Sequence, residues 1–152
     1  MDAETGQPVV ATVSVTDSRG GTLELDGNHG HVEYLERRWC YVDGVFTLSA
    51  ESNRATIEIR RGPETLPFQE EIDVSSGRKR FPLKRWVRMS DKGFVSGDGH
   101  VHYLSLEDSH LQMRAEDLNV LNLLTSDFTG DLEKFTGELD PISTRAHSVY
   151  VG

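Results

Sequence analysis

The stretch Ser96-Gly97-Asp98-Gly99-His100-Val101-His102-Tyr103 sets two histidines one residue apart behind an aspartate and two glycines, in a chain with only six histidines. On a β-strand, side chains at i and i+2 leave the same face, about 6.5–7 Å apart at the backbone. Two imidazoles so placed can close on one metal ion, each nitrogen about 2.0–2.1 Å from it. Asp98 has the same parity and is expected on the same face. Two ligands do not complete a catalytic site, which takes three or more protein ligands and one open position. Two histidines decorating a solvated strand are the rival account of the spacing.

Other candidates are weaker. His29-Gly30-His31 repeats the spacing, but its glycine-rich flanks predict a solvated loop between strands. His110 falls on the outside of a predicted helix. Cys40 is the only cysteine, so no disulfide forms within the chain, and a lone cysteine in a strand reads as a small core residue. Residues 77–88, GRKRFPLKRWVR, interleave six basic residues with Phe81 and Trp86. That composition suits an RNA-stacking patch. A salt-laced exposed strand beside Glu70, Glu71 and Asp73 is the favoured reading. No phosphate-binding glycine loop, nucleophile elbow or HExxH motif is present.

The elements that must carry these residues change character along the chain. Residues 8–84 read as short strands at 8–12-residue spacing with Gly and Asx turns, which predicts a small antiparallel sandwich. VVATVSVTD and ATIEIRRG alternate, FQEEIDV and KRFPLKRW follow, and Asp43-Gly44 between RRWCYV and VFTLSA reads as a hairpin turn. After Trp86 the pattern becomes strand, helix, strand. VSGDGHVHYL is a strand at about 98–104. Ser105 with Asp108 forms a capping box. Leu111, Ala115 and Leu118 recur at helical spacing over 106–118, and NVLNLLTS is a second strand at about 119–125. Such a βαβ unit implies a parallel sheet. RAHSVYVG reads as a third strand, and one βαβ plus a strand does not cover both faces of a parallel sheet.

The 152 residues suit one ordinary domain or a small domain plus part of another, and 36% hydrophobic content is low yet sufficient for a core at this length. Net charge is −9 and uneven. Residues 1–90 hold twelve basic and fourteen acidic side chains; residues 91–152 hold four and eleven. An acidic C-terminal third repels nucleic acid and anionic membrane, and neither is expected as a partner. There is no apolar run long enough to span a bilayer and no basic, apolar leader. The expected compartment is therefore cytoplasmic by default, or periplasmic or secreted if a leader was removed.

In that order the features resemble a known combination. GQPVVATVSVTDSRG, YVDGVFTL and IEIRRGPETLPF look like a carboxypeptidase-regulatory-like (transthyretin-like) sandwich over residues 7–86. GFVSGDGHVHY followed by MRAEDLNVLNLL is similar to the carbaryl-hydrolase-type (CehA/McbA-like) metallohydrolases of the PHP superfamily, from residue 94 to 152. The resemblance implies a mainly β chain: an antiparallel sandwich, then the first βαβ unit of an incomplete PHP-type α/β barrel. It makes His100 and His102 metal ligands at the C-terminal end of the first barrel strand, where active sites of barrels lie. Asp98 would accept a ring N–H or act as a direct ligand. The family's second strand ends in an Asp-His pair; here it ends in LLTSDF, and Asp127 is the nearest substitute. Glu116 and Asp117 recur near the helix end and either line the site or hold the helix-to-strand turn. The family's next acid lies just after the third strand, beyond Gly152.

The function implied is the N-terminal portion of a hydrolase acting on a small ester, carbamate or phosphoester through water activated by a divalent metal, zinc or manganese, held weakly if at all by this chain alone. The alternative is a non-enzymatic β-sandwich binding or accessory module, using loops such as 26–38 with Tyr34 and Trp39.

Overall fold

The computed structural model describes residues 1–34, 36–51, 53–102, 104–124 and 136–152. The chain is mainly β and divides into two compact units, Met1–Val87 and Arg88–Gly152.

In the first unit β1 (Val10–Asp17), β2 (Leu25–Tyr34), β3 (Arg37–Leu48), β4 (Arg54–Arg60) and β5 (Phe68–Asp73) form one antiparallel sheet in the order β2-β3-β1-β4-β5. The alternation of the sequence becomes its two faces. Val13 stands opposite Cys40 and Ile59, and Val15 opposite Ile57. With Val42, Ala55 and Ile72 they form one buried apolar face. β1 is central, so its other face is buried too, including Thr12 and Ser14.

Among the described residues a second layer over the apolar face is present only as bridge-length pairings. Leu83 bridges Asp2 and Arg85 bridges Thr65. The expected strand KRFPLKRW does not form beyond the bridges at Leu83 and Arg85. Pro82 has no N–H to give to a ladder.

Two further expectations change. Asp43-Gly44 is no hairpin turn: β3 runs straight through it. Gly44 takes φ 78° inside the strand, where a Cβ would stand 2.6 Å from Pro8 Cβ. The glycine serves close packing rather than chain reversal. His29 and His31 lie in edge strand β2, not in a loop, at a register irregularity that spans Asn28 to His31.

The second unit holds β6 (Gly97–Val101), α1 (Leu106–Ala115), β7 (Val120–Leu123) and β8 (Ser148–Val151). Both pairings, β6 with β7 and β7 with β8, are parallel, as the strand-helix-strand pattern predicts. α1 starts where the sequence places it. The Ser105 side chain accepts from Asp108 N at 3.0 Å, and Glu107 and Asp108 favour the positive end of the helix dipole. Met113, Leu121, Leu123 and Val149 form the core between helix and sheet.

The helix ends earlier than its apolar spacing suggests, and the reason is local. Asp117 takes φ 55°, Leu118 N donates to Met113 O at 2.9 Å and Asp117 N to Arg114 O at 3.3 Å. This is a Schellman termination with aspartate where glycine is usual. Asp117→Gly is expected to raise stability by about 0.5–1 kcal/mol, and Asp117→Val to lower it by about 1–2 kcal/mol, because a branched Cβ is strained in the left-handed region. Thermal melting of the two variants checks the ordering.

Candidate metal centre

His100 is the fourth residue of β6 and His102 follows the end of the strand. The two imidazoles converge. Their Nε2 atoms are 3.1 Å apart and their ring centroids 4.6 Å apart, edge to face at 77°. At that distance one Nε2 can donate to the other, the roles being set by the tautomers of the two rings. The same separation is that of two ligands of one ion. With about 2.05 Å to each nitrogen it corresponds to an N–metal–N angle of about 100°, between octahedral and tetrahedral values. The donor set therefore fits a divalent metal at two of its positions. Among the described residues no third His, Cys, Asp or Glu joins them in a group that could hold an ion.

Parity alone does not place Asp98. Asp98 is in register with Leu121 and Val101 with Leu123, three residues of β6 against two of β7. This bulge at Gly99 and His100 breaks the period of two. Asp98 is thus in register with Leu121, which packs toward the helix, but is itself exposed. The Asp98 Oδ1 accepts from the backbone N of His100 at 2.9 Å. The two glycines before the pair differ. A Cβ on Gly97 would stand 2.8 Å from Val120 O, whereas nothing lies within 4 Å of one on Gly99.

The remaining candidates fall elsewhere. Asp127 lies outside the described residues. Asp117 holds the helix-to-strand turn through its backbone, and its carbonyl accepts from Ser96 Oγ at 3.2 Å. Glu116 is the C-cap of α1, its backbone N–H directed to Gln112 O. His110 is half-buried rather than on the surface, its ring edge-on to His147 with centroids 6.1 Å apart. Burial, and then the charge of Arg114, push its pKa down. His29 and His31 are exposed on β2. Cys40 is buried, and burial pushes its thiol up, away from nucleophilic thiolate. In the basic stretch Arg85 pairs with Glu64 at 2.8 Å and Trp86 Nε1 donates to Pro63 O at 2.8 Å, so both are engaged within the unit. Trp39 is buried and unavailable as a surface binding residue.

Sequence reasoning missed Asn119. Its Oδ1 accepts from Ser96 N at 3.2 Å and Ser96 Oγ at 3.1 Å, and its Nδ2 donates to Ala146 O at 3.3 Å. Its backbone donates to Ser96 O and accepts from Ser148 N. One side chain thus ties the entries of β6, β7 and β8 together. An asparagine ahead of an apolar run was the available signal, but its partners lie 23 and 27 residues away.

No family model matches the chain, and no curated protein and no solved structure matches it either. Among the described residues no helix is long and apolar enough to cross a membrane.

Proposed function

We propose that the chain is the N-terminal portion of a metal-dependent hydrolase, acting on a small ester, carbamate or phosphoester. The observation that carries this reading is the convergence of His100 and His102 to 3.1 Å at the C-terminal end of the first strand of a parallel βαβ unit. Ligands of open α/β sheets and barrels collect at that end of the strands. On this reading the second unit is the opening of a PHP-type barrel similar to the CehA/McbA-like hydrolases. The first unit is a transthyretin-like sandwich whose second layer is reduced to the bridges at Leu83 and Arg85. A divalent ion, zinc or manganese, would lower the pKa of a bound water toward neutrality and polarise the scissile group's oxygen. His100 and His102 would hold it, and the exposed position of His100 leaves room for water and a small substrate beside it. The alternative binding module loses one of its two aromatic anchors, because Trp39 is buried.

The test is metal titration by calorimetry together with a chromogenic ester and phosphoester screen. Two arms are needed: the 152-residue chain, and the protein continued in frame past Gly152. Two ligands leave most of the coordination to water, so the chain is expected to bind zinc or manganese weakly and without turnover. The continuation is expected to bind tightly and turn over. A continuation that carries no further His and Asp/Glu ligands and neither binds nor hydrolyses would refute the assignment.

A further inference from the structure

We infer that Asp98 is a positioning residue that sets the separation of the two imidazoles through the backbone of His100. The inference uses the metal reading above for its purpose, and the strand geometry for its content. A regular strand places i and i+2 side chains about 6.5–7 Å apart at the backbone, and their rings need not meet. Here three residues of β6 span two of β7, so one residue of the bulged strand has no ladder partner. An amide left in that position, here on the exposed side of the strand, takes water or a nearby side chain as its acceptor. Asp98 Oδ1 supplies it at 2.9 Å to His100 N. The carboxylate thereby fixes the bulge from which His100 and His102 turn their Nε2 atoms to 3.1 Å. What the site requires at position 98 is a hydrogen-bond acceptor two residues before the histidine, not a negative charge. Asparagine has that acceptor and alanine does not.

The experiment compares Asp98→Asn with Asp98→Ala in the full chain by two readouts. The first is zinc affinity, measured by competition with a chromophoric chelator. The second needs no metal: hydrogen exchange of the His100 amide, and the through-space contact between the His100 and His102 ring protons, both by nuclear magnetic resonance. Asp98→Asn is expected to hold zinc within about threefold of the parent and to keep the amide protection and the ring contact. Asp98→Ala is expected to lose at least about tenfold in affinity, the protection and the contact. Equal losses in the two variants would overturn the inference, since the charge itself would then act on the ion or the rings. An alanine variant that keeps both affinity and protection would also overturn it. If the parent binds no zinc, the metal reading fails while the exchange and ring-contact readouts still decide the role of Asp98. If Asp98→Ala melts early, Asp98→Asn decides alone: retention supports the backbone role, and loss of protection with the fold intact removes it.

Discussion

His100→Ala is expected to cut zinc or manganese affinity by about 100-fold or more and, under the proposal that this chain opens a longer hydrolase, to abolish the turnover of that longer protein. The size follows from chelation. The second imidazole of a pair already held 3.1 Å from the first binds at an effective concentration that a single imidazole lacks, a factor of about 10²–10⁴. His100 is exposed in the last half of β6, so its loss is expected to leave the melting temperature within about 2–3 °C. His29→Ala serves as the control. It has the same spacing to a neighbouring histidine but sits on the edge of the other unit's sheet, and it is expected to change neither quantity. Competition with a chelator and thermal melting on the three proteins separate these outcomes. Unchanged affinity in His100→Ala would move the metal away from this strand.

The second large effect is expected in the first unit, at Glu58. Its carboxylate is nearly enclosed, with 10% of the side chain exposed, and it receives two guanidinium groups: Arg37 Nη1 at 2.8 Å and Arg60 Nη2 at 2.7 Å. The same two arginines approach the Trp39 ring, at 5.0 and 4.2 Å from its centroid. Burial pushes the Glu58 carboxyl up, but the hydrogen bonds and charges of Arg60 and Arg37 together outweigh it, so the net direction is down. A carboxyl held below its unfolded value stabilises the fold above that value, near pH 4.5. The contribution is lost as pH falls through the folded value. Glu58→Ala leaves two cations beside a buried ring with no counter-charge. It is expected to cost about 2–3 kcal/mol at neutral pH, less than for a fully buried pair because Arg60 is half-exposed. It is also expected to flatten the acid limb of stability below about pH 4.5. Urea unfolding at pH 7 and pH 3.5 measures both. A loss of the same size at the two pH values would show that packing, not the ion pairs, is what Glu58 supplies.

What could be read from the sequence depended on how local the cause was. β1 and β4 were legible because burial of one face imposes the period of two on Val13, Val15, Ile57 and Ile59. The parallel pairing after Trp86 was legible because a capped helix lies between two apolar runs. The course of β3 was not. Asp43-Gly44 has hairpin chemistry, and only Pro8, 36 positions earlier, shows why the glycine is spent inside a strand. The i, i+2 spacing of His100 and His102 marked them as a pair whose rings could meet, whereas nothing in the sequence marked the bulge beside Asp98. A bulge inserts one residue without a compositional mark of its own, and it interrupts the alternation on which the placing of Asp98 rested. The roles of Asp117 and Asn119 were hidden because both act through backbone geometry and distant partners.

The two glycines that flank Asp98 have different freedom. At Gly97 the backbone of the neighbouring strand fills the space a side chain would need, and the obstacle is the Val120 carbonyl, which is held in the sheet. At Gly99 the space is open. A saturation library selected only for a folded second unit should therefore return glycine alone at position 97 and a spread of small and polar residues at position 99. Among chains descended from a common ancestor with this one, the first column should stay fixed while the second drifts. The invariant letter would then record a strand–strand approach, and it would carry no information about whether a given descendant still binds metal.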